Sequence, residues 1–131
     1  MKKFLALATG ILLTLSGMAQ EREYFSRVRF DKTVHDFGLI SVKDGGQRCS
    51  FTLTNIGEEP LYIEAVVSSC GCTSVEWTRT RIDPGAAGTV SAAYSNDEGA
   101  YPFDKTLTVY LTDAPRPVVL HLRGEVVKKK Q

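Results

Sequence analysis

Apolar and polar residues alternate along most of the chain after residue 27. In five segments the apolar side chains recur every second residue, at residues 48–55, 60–67, 88–95, 105–112 and 117–127. A period of two is typical of β-strands that bury one face. Residues 28–30 and 34–40 supply two weaker segments, so the pattern predicts about seven strands.

The alternation also assigns one face of each main segment to a core. Side chains that share a face of a strand lie two residues apart, and the apolar set is the one expected to point inward. The predicted inward positions are Cys49, Phe51 and Leu53; Leu61, Ile63, Ala65 and Val67; Val90, Ala92 and Tyr94; Leu107, Val109 and Leu111; and Val118, Leu120, Leu122, Gly124 and Val126.

Residues that favour tight turns separate these segments. The segment 44–46, Asp-Gly-Gly, tolerates positive φ, and the segment 83–85, Asp-Pro-Gly, is a proline-first turn. Residues 55–60 and 113–117 supply further breaks, and no long window has the apolar spacing of a helix. Turns at intervals of about 8–12 residues predict an all-β sandwich of about seven antiparallel strands.

The first 19 residues have the pattern of a secretory signal peptide. A basic start at Lys2 and Lys3 precedes an apolar run at residues 4–15, and small residues flank Met18 before Gln20. An uncleaved membrane anchor, the alternative, would need a run of about 20 residues. The predicted organisation is a signal peptide at 1–19, a flexible leader at 20–27, a β-sandwich domain at 28–127 and a basic tail at 128–131.

Charge narrows the classes of partner. The chain has 131 residues with 16 basic and 15 acidic side chains, and loss of Lys2 and Lys3 leaves 14 basic against 15 acidic ones. A nearly neutral domain lacks the electrostatic footprint of a nucleic-acid binder and is not drawn to anionic membranes. We expect an exported protein of the periplasm or cell surface, with a protein partner, no nucleic acid, and no membrane insertion after cleavage.

One short motif points towards chemistry, namely Ser69-Cys70-Gly71-Cys72-Thr73. It follows a predicted strand, and loops on a rigid β scaffold are where function concentrates. Gly71 is a candidate hinge between the two thiols, because glycine adopts backbone angles that a side chain forbids. Cys49 is a possible third thiol, but its phase with Phe51 places it in the predicted core.

Three interpretations of the Cys70 and Cys72 pair are open. The pair can be part of a structural disulfide, either with each other or with Cys49. It can be a redox-active disulfide, since small strained rings are easier to reduce. It can also supply two thiolates to copper or zinc, although these make only half of a tetrahedral zinc site, and nothing places His35 or His121 nearby.

Other catalytic signatures are missing from the sequence. It has no G-x-S-x-G, H-E-x-x-H, G-x-x-x-x-G-K-[ST] or G-x-G-x-x-G motif. Asp83, Asp97 and Glu98 fall in predicted turns, where we interpret them as turn-forming or solvated carboxylates. Tyr62 and Tyr110 lie out of phase with the predicted core, so they are candidates for an aromatic binding face; the simpler interpretation is cross-strand stabilisation.

The order of several motifs resembles a known family. His35-Asp36-Phe37-Gly38 comes first, then Phe51 to Gly57 leading into Pro60 to Ile63, then the Cys70–Cys72 motif, Ile82 to Gly85, and Leu120 to Val126. This order, over residues 30–127, resembles the bacterial domain-of-unknown-function 1573 family of exported proteins. The family is similar in turn to Hydin-type (ASH) and major sperm protein-like domains. The resemblance implies an Ig-like β-sandwich, scaffolding or interaction roles, and no assigned activity.

Together these features predict an exported, non-enzymatic, Ig-like interaction module with no catalytic residue, no cofactor and no resident metal. The alternative function is thiol redox or soft-metal handling of copper or zinc by Cys70 and Cys72.

Export through the first 19 residues is expected to leave a mature chain that begins at Gln20, because cleavage follows a small residue at 19. The intact mass and N-terminal sequence of protein recovered outside the cytoplasm check this. A recovered chain that still begins at Met1 would contradict the predicted cleavage.

Overall fold

Eight β-strands and no helix make up residues 27–128, which are the residues that the computed structural model describes. The strands are β1 (Val28–Phe30), β2 (Val34–Ser41), β3 (Gln47–Asn55), β4 (Ile63–Ser68), β5 (Thr73–Trp77), β6 (Ala87–Tyr94), β7 (Pro102–Leu111) and β8 (Val118–Val127). Sheet A has the order β1-β3-β6-β5, and sheet B has the order β2-β8-β7-β4. The predicted all-β sandwich is confirmed.

Several predicted segments lie partly or wholly outside the described residues. These are the signal peptide at 1–19, the leader at 20–27 apart from its last residue, and the basic tail apart from Lys128. Within the described part, no helix has the length and apolar character needed to cross a membrane.

The inner faces of the two sheets form the core, and most of the predicted inward positions are buried. Phe51, Leu53, Val90, Leu107 and Leu120 have no exposed surface at all. The sequence alternation matches the observed burial in β3, β6, β7 and β8 because these strands pair in regular register over most of their length. Gly124 is only half-buried, and a β-carbon there would come within 2.8 Å of the Phe103 ring.

The predicted inward face is wrong in the second half of β4. The register of β4 against β7 shifts between Ile63 and Ala65, which inserts one extra residue. Because side chains alternate with period two, such a bulge moves the following residues to opposite faces. Val66 is therefore buried, whereas Val67 is 54% exposed on the outer face of sheet B.

The structure has one strand more than predicted. β5 follows the Cys70–Cys72 motif and pairs with the end of β6. Its residues do alternate, with Thr73 buried and Val75 and Trp77 half-buried between exposed neighbours. The strand is short and holds two polar side chains and one charge in five residues, so its apolar signal is weak.

One strand pair departs from the predicted antiparallel arrangement, because β2 runs parallel to β8. A parallel pair needs a long connection, and here all the strands from β3 to β7 lie between the two partners. The pairing shifts by one bulge between Asp36 and Leu39, where Gly38 adopts a φ of 70°. Glycine enters this left-handed region without the steric cost that other residues meet.

Leu120 and Val119 lie on opposite faces of β8, so truncation is expected to cost much more stability at one position than at the other. Leu120→Ala is expected to lower the free energy of unfolding by about 2–5 kcal/mol, because it opens a cavity between the sheets. Val119→Ala removes a side chain that is 44% exposed, so its cost is expected to be under about 0.5 kcal/mol. Urea denaturation of both variants measures the difference; equal losses would contradict the assigned register.

Candidate functional site

Cys70 and Cys72 lie in the loop between β4 and β5 and are joined to each other by a disulfide. Their Cα atoms are 5.1 Å apart, within the usual range for bridged cysteines. Two backbone hydrogen bonds tie the loop to the rest of the domain: Ser69 N donates to Thr106 O at 2.9 Å, and Ser95 N donates to Cys72 O at 2.8 Å. The disulfide is therefore fixed to the ends of both sheets.

Short-range hydrogen bonds fix the turn that carries the pair. The hydroxyl of Ser68 donates to Cys70 O at 2.8 Å, and Cys72 N donates to Cys70 Sγ at 3.1 Å. Gly71 does not adopt positive φ, and a β-carbon there would meet no atom within 4 Å. The turn conformation therefore does not require glycine at this position, and the hinge role of Gly71 stays a prediction.

A carboxylate from a different loop completes the site. Glu98 lies in the connection between β6 and β7, and its Oε2 is 4.0 Å from Cys70 Sγ. The two sulfurs and a Glu98 carboxylate oxygen all lie within 4.8 Å of one another. This is the one cluster of three or more potential metal-ligating side chains among residues 27–128.

Three donors hold the other oxygen of Glu98. Its Oε1 accepts hydrogen bonds from the hydroxyls of Tyr101 at 2.7 Å and Tyr94 at 3.2 Å, and it pairs with Lys105 Nζ at 3.3 Å. With Oε1 engaged by these donors, Oε2 is the oxygen that faces the sulfurs. The carboxylate is thereby oriented before any ligand arrives.

Hydrogen bonding favours the ionised form of Glu98. The bond from Tyr101 lowers the pKa of Glu98 most; partial desolvation opposes this, and Lys105 and Tyr94 add to the lowering. A carboxyl whose pKa is lowered in the folded state stabilises the fold above its ordinary pKa range, and this contribution is lost as pH falls through the lowered value. In contrast, burial raises the pKa of the Tyr94 hydroxyl, so it stays a donor.

Cys49 takes no part in the site. It lies on β3 opposite Ala92, is buried, and has no disulfide partner. Burial raises the pKa of its thiol to about 11, so the reactive thiolate is scarce at neutral pH. The interpretation of Cys49 as a core thiol is confirmed, and a bridge from Cys49 to Cys70 or Cys72 is excluded in this structure.

The histidines lie apart from the cysteines. His121 Nδ1 is 2.8 Å from Asp104 Oδ1, and His35 Nδ1 is 2.9 Å from Lys32 Nζ. Glu98 is the residue of the site that the sequence does not reveal, because its position predicts a solvated turn. No local spacing signals its role: it lies far along the chain from the cysteines and reaches them through the packing of two loops.

Differential alkylation is expected to separate the three thiols. Native, unreduced protein should take up no iodoacetamide, because Cys70 and Cys72 are bonded and Cys49 is buried with a raised pKa. Unfolding without reduction should expose one reactive thiol, at Cys49; reduction without unfolding should expose two, at Cys70 and Cys72. Peptide mass spectrometry locates the labels, and a cross-linked peptide containing Cys49 would contradict the assigned pairing.

Comparison with solved structures confirms the fold and its relatives. A protein of unknown function from Porphyromonas gingivalis W83 is 19% identical, with a TM-score of 0.64 over 75% of this chain and 46% of that one. The ASH/PapD-like domain 7 of human CEP192 is 10% identical, with a TM-score of 0.57 over 80% and 88% of the two chains. The C. elegans major sperm protein family member WR4 is 10% identical, with a TM-score of 0.53 over 78% and 99%.

The chain thus spans less than half of the P. gingivalis protein, and identities this low concern the fold alone. Among curated proteins, no match was found. The sequence matches the family described as protein of unknown function (DUF1573) over residues 28–126, which is nearly the whole described domain. The chain belongs to the DUF1573 family.

Proposed function

We propose that this chain is an exported, non-enzymatic interaction module of the periplasm or cell surface. Its docking surface is the outer face of sheet B together with the free edge of β4, and its ligand is an extended segment of a partner protein. The observation that carries the proposal is a set of four exposed large apolar side chains, three on sheet B and one directly before β4. Export itself rests on the pattern of residues 1–19.

The four side chains, which we call the apolar face, are Tyr62, Val67, Tyr110 and Val119. They are 46%, 54%, 42% and 44% exposed, respectively. Val67 pairs with Thr108, and Thr108 pairs with Val119, so these three residues form a row across β4, β7 and β8. Tyr110 pairs with Ala65 on the same two strands as Val67. Single exposed apolar side chains are ordinary on protein surfaces, but several on one sheet face favour a partner.

The outer face of sheet A differs in character. Ser50, Ser74, Ser91 and Ala93, together with the charged Arg48 and Glu76, line a shallow depression of about 410 Å³ there. Small polar side chains supply little apolar area, whereas complete burial of a valine side chain contributes about 1.5–3 kcal/mol. A ligand that covers the outer face of sheet B therefore buries more apolar area than one that covers the outer face of sheet A.

The edge of β4 adjoins the apolar face and indicates which kind of ligand can bind there. β4 is the last strand of sheet B and pairs only with β7 within residues 27–128. Its first half carries a bulge and the exposed Glu64, two features that oppose edge-to-edge pairing between copies. The regular part, from Val66 to Ser68, can accept a short added strand. An extended segment with alternating apolar side chains fits both the edge and the face.

Site-specific photocrosslinking during export tests this proposal. The photoreactive residue p-benzoylphenylalanine replaces Tyr110 on the apolar face or, as the control, Ser50 on the outer face of sheet A. We expect crosslinks from position 110 alone, to one protein, through peptides that alternate apolar and polar residues. Val67→Lys should lower the yield at least about tenfold, because a charge at the interface costs about 1.4 kcal/mol or more. Cys70→Ser with Cys72→Ser should leave the yield unchanged.

Three results would overturn the proposal. Equal crosslinking from positions 110 and 50 would show unspecific contact. Loss of the crosslink on removal of the two thiols alone would place the partner at the disulfide loop. Crosslinks to a second copy of this chain would assign the apolar face to self-association. Val119→Ala, which is expected to fold normally, should weaken the crosslink less than Val67→Lys.

The second candidate function is the thiol redox or soft-metal chemistry of Cys70 and Cys72. It is favoured by one specific observation, the convergence of Glu98 on the two sulfurs.

A further inference from the structure

We propose that the reduced Cys70 and Cys72 thiolates and Glu98 bind one Zn²⁺ ion, with the fourth coordination position open to water. This rests on the second candidate function and deepens it; its ligands, Cys70, Cys72 and Glu98, are not residues of the apolar face. The zinc and docking proposals can fail independently of each other.

The distances suit a zinc ion after a small opening of the pair. Zinc binds thiolate sulfur at about 2.3 Å and carboxylate oxygen at about 2.0–2.2 Å with tetrahedral angles, which sets sulfur–sulfur separations of about 3.8 Å and sulfur–oxygen separations of about 3.6 Å. Here Cys70 Sγ and Glu98 Oε2 are 4.0 Å apart, and the three ligand atoms lie within 4.8 Å of one another. Once the disulfide is reduced, the sulfurs must move apart and Cys70 Sγ must come about 0.4 Å closer to Glu98 Oε2 to admit the ion.

The surroundings of Glu98 match those of a metal-ligating carboxylate. Tyr94, Tyr101 and Lys105 hold Oε1, while Oε2 faces the sulfurs. Metal sites commonly orient their ligands through such outer hydrogen bonds, and these outer partners affect affinity strongly.

Charge favours a cation over a reactive thiol at this site. Nucleophilic and redox-active cysteines lie in electropositive surroundings that stabilise the thiolate. Here the Glu98 carboxylate lies 4.0 Å from Cys70 Sγ, and a carboxylate repels a thiolate. Two thiolates, one carboxylate and the nearby Lys105 sum to a charge of about −2, which one divalent ion neutralises.

The ligand types favour zinc over copper. Cu(I) prefers soft sulfur ligands, whereas Zn²⁺ is borderline and accepts both thiolate and carboxylate. Three protein ligands with an open fourth position are typical of zinc sites that bind a water molecule or another ligand. Cys49 is buried on β3 and supplies no further thiolate.

Zinc binding requires the disulfide to be reduced first. A dithiol reductant exchanges with the Cys70–Cys72 bond in two steps, so the reductant becomes a cyclic disulfide and each cysteine sulfur gains one electron and one proton. Zn²⁺ then replaces the two thiol protons, which pass to solvent, and Glu98 binds as the carboxylate. The oxidised form has no thiolate to offer and is expected to bind no zinc.

Cobalt titration of the exported chain tests the site. The protein is reduced with dithiothreitol, separated from it without air, and titrated with Co²⁺, which reports thiolate ligation through sulfur-to-cobalt charge transfer and four-coordination through strong d–d bands. We expect one Co²⁺ per chain, displaced by one Zn²⁺, and no bands from the unreduced protein. Cys72→Ser, which leaves a single thiolate, should at least halve the charge-transfer band and weaken Co²⁺ binding.

Matched variants separate the proposed site from a simple dithiol chelate. Glu98→Gln is expected to weaken Co²⁺ binding at least about tenfold, and Tyr101→Phe about tenfold through the orientation of Glu98. Asp97→Asn, the neighbouring carboxylate in the same connection, and Cys49→Ala should leave binding unchanged. Absent bands after reduction, unaltered affinity in Glu98→Gln, or loss of the bands in Cys49→Ala would each overturn the proposal.

Discussion

The contact on which both the core and the candidate site depend is made by Tyr94. Its ring has no exposed surface and stacks on Phe103 with 4.3 Å between the ring centroids, which joins β6 of sheet A to β7 of sheet B. Its hydroxyl reaches Glu98 Oε1 at 3.2 Å. One side chain therefore packs the two sheets together and orients the carboxylate that faces the disulfide. A tyrosine suits this position because its ring is apolar and its far end is a hydrogen-bond donor.

The bulge in β4 has a similar double effect on the outer surface. It keeps Ile63 and Val66 in the core although they are three residues apart, and it turns Val67 outward. Without the extra residue, period-two alternation would bury Val67, and the outer face of sheet B would lose its most exposed apolar valine. The same irregularity makes the first half of the β4 edge unsuitable for pairing with another copy.

Local pattern predicted much of the fold but little of the site. Cys49, Phe51 and Leu53 are buried as their alternation indicates, because their strand pairs without a shift. Period two cannot reveal a bulge or name a strand's neighbour, so the reversed faces of β4 and the parallel pairing of β2 with β8 were missed. The disulfide loop was found from its motif, and the exposure of Tyr62 and Tyr110 from their phase. Glu98 was not found, because its proximity to the cysteines is created by tertiary packing alone.

The parallel pairing of β2 with β8 sets an order of assembly. Val34 pairs with His121, and β8 is the one neighbour of β2 in sheet B among residues 27–128. When the chain emerges N-terminus first, β2 stays unpaired until β8 has also emerged. β3 and β6 can pair much earlier. Such distant pairing is slow to form, because the ends of a long loop must be brought together first. Sheet A can therefore form before β7 and β8 have emerged, and sheet B is completed last.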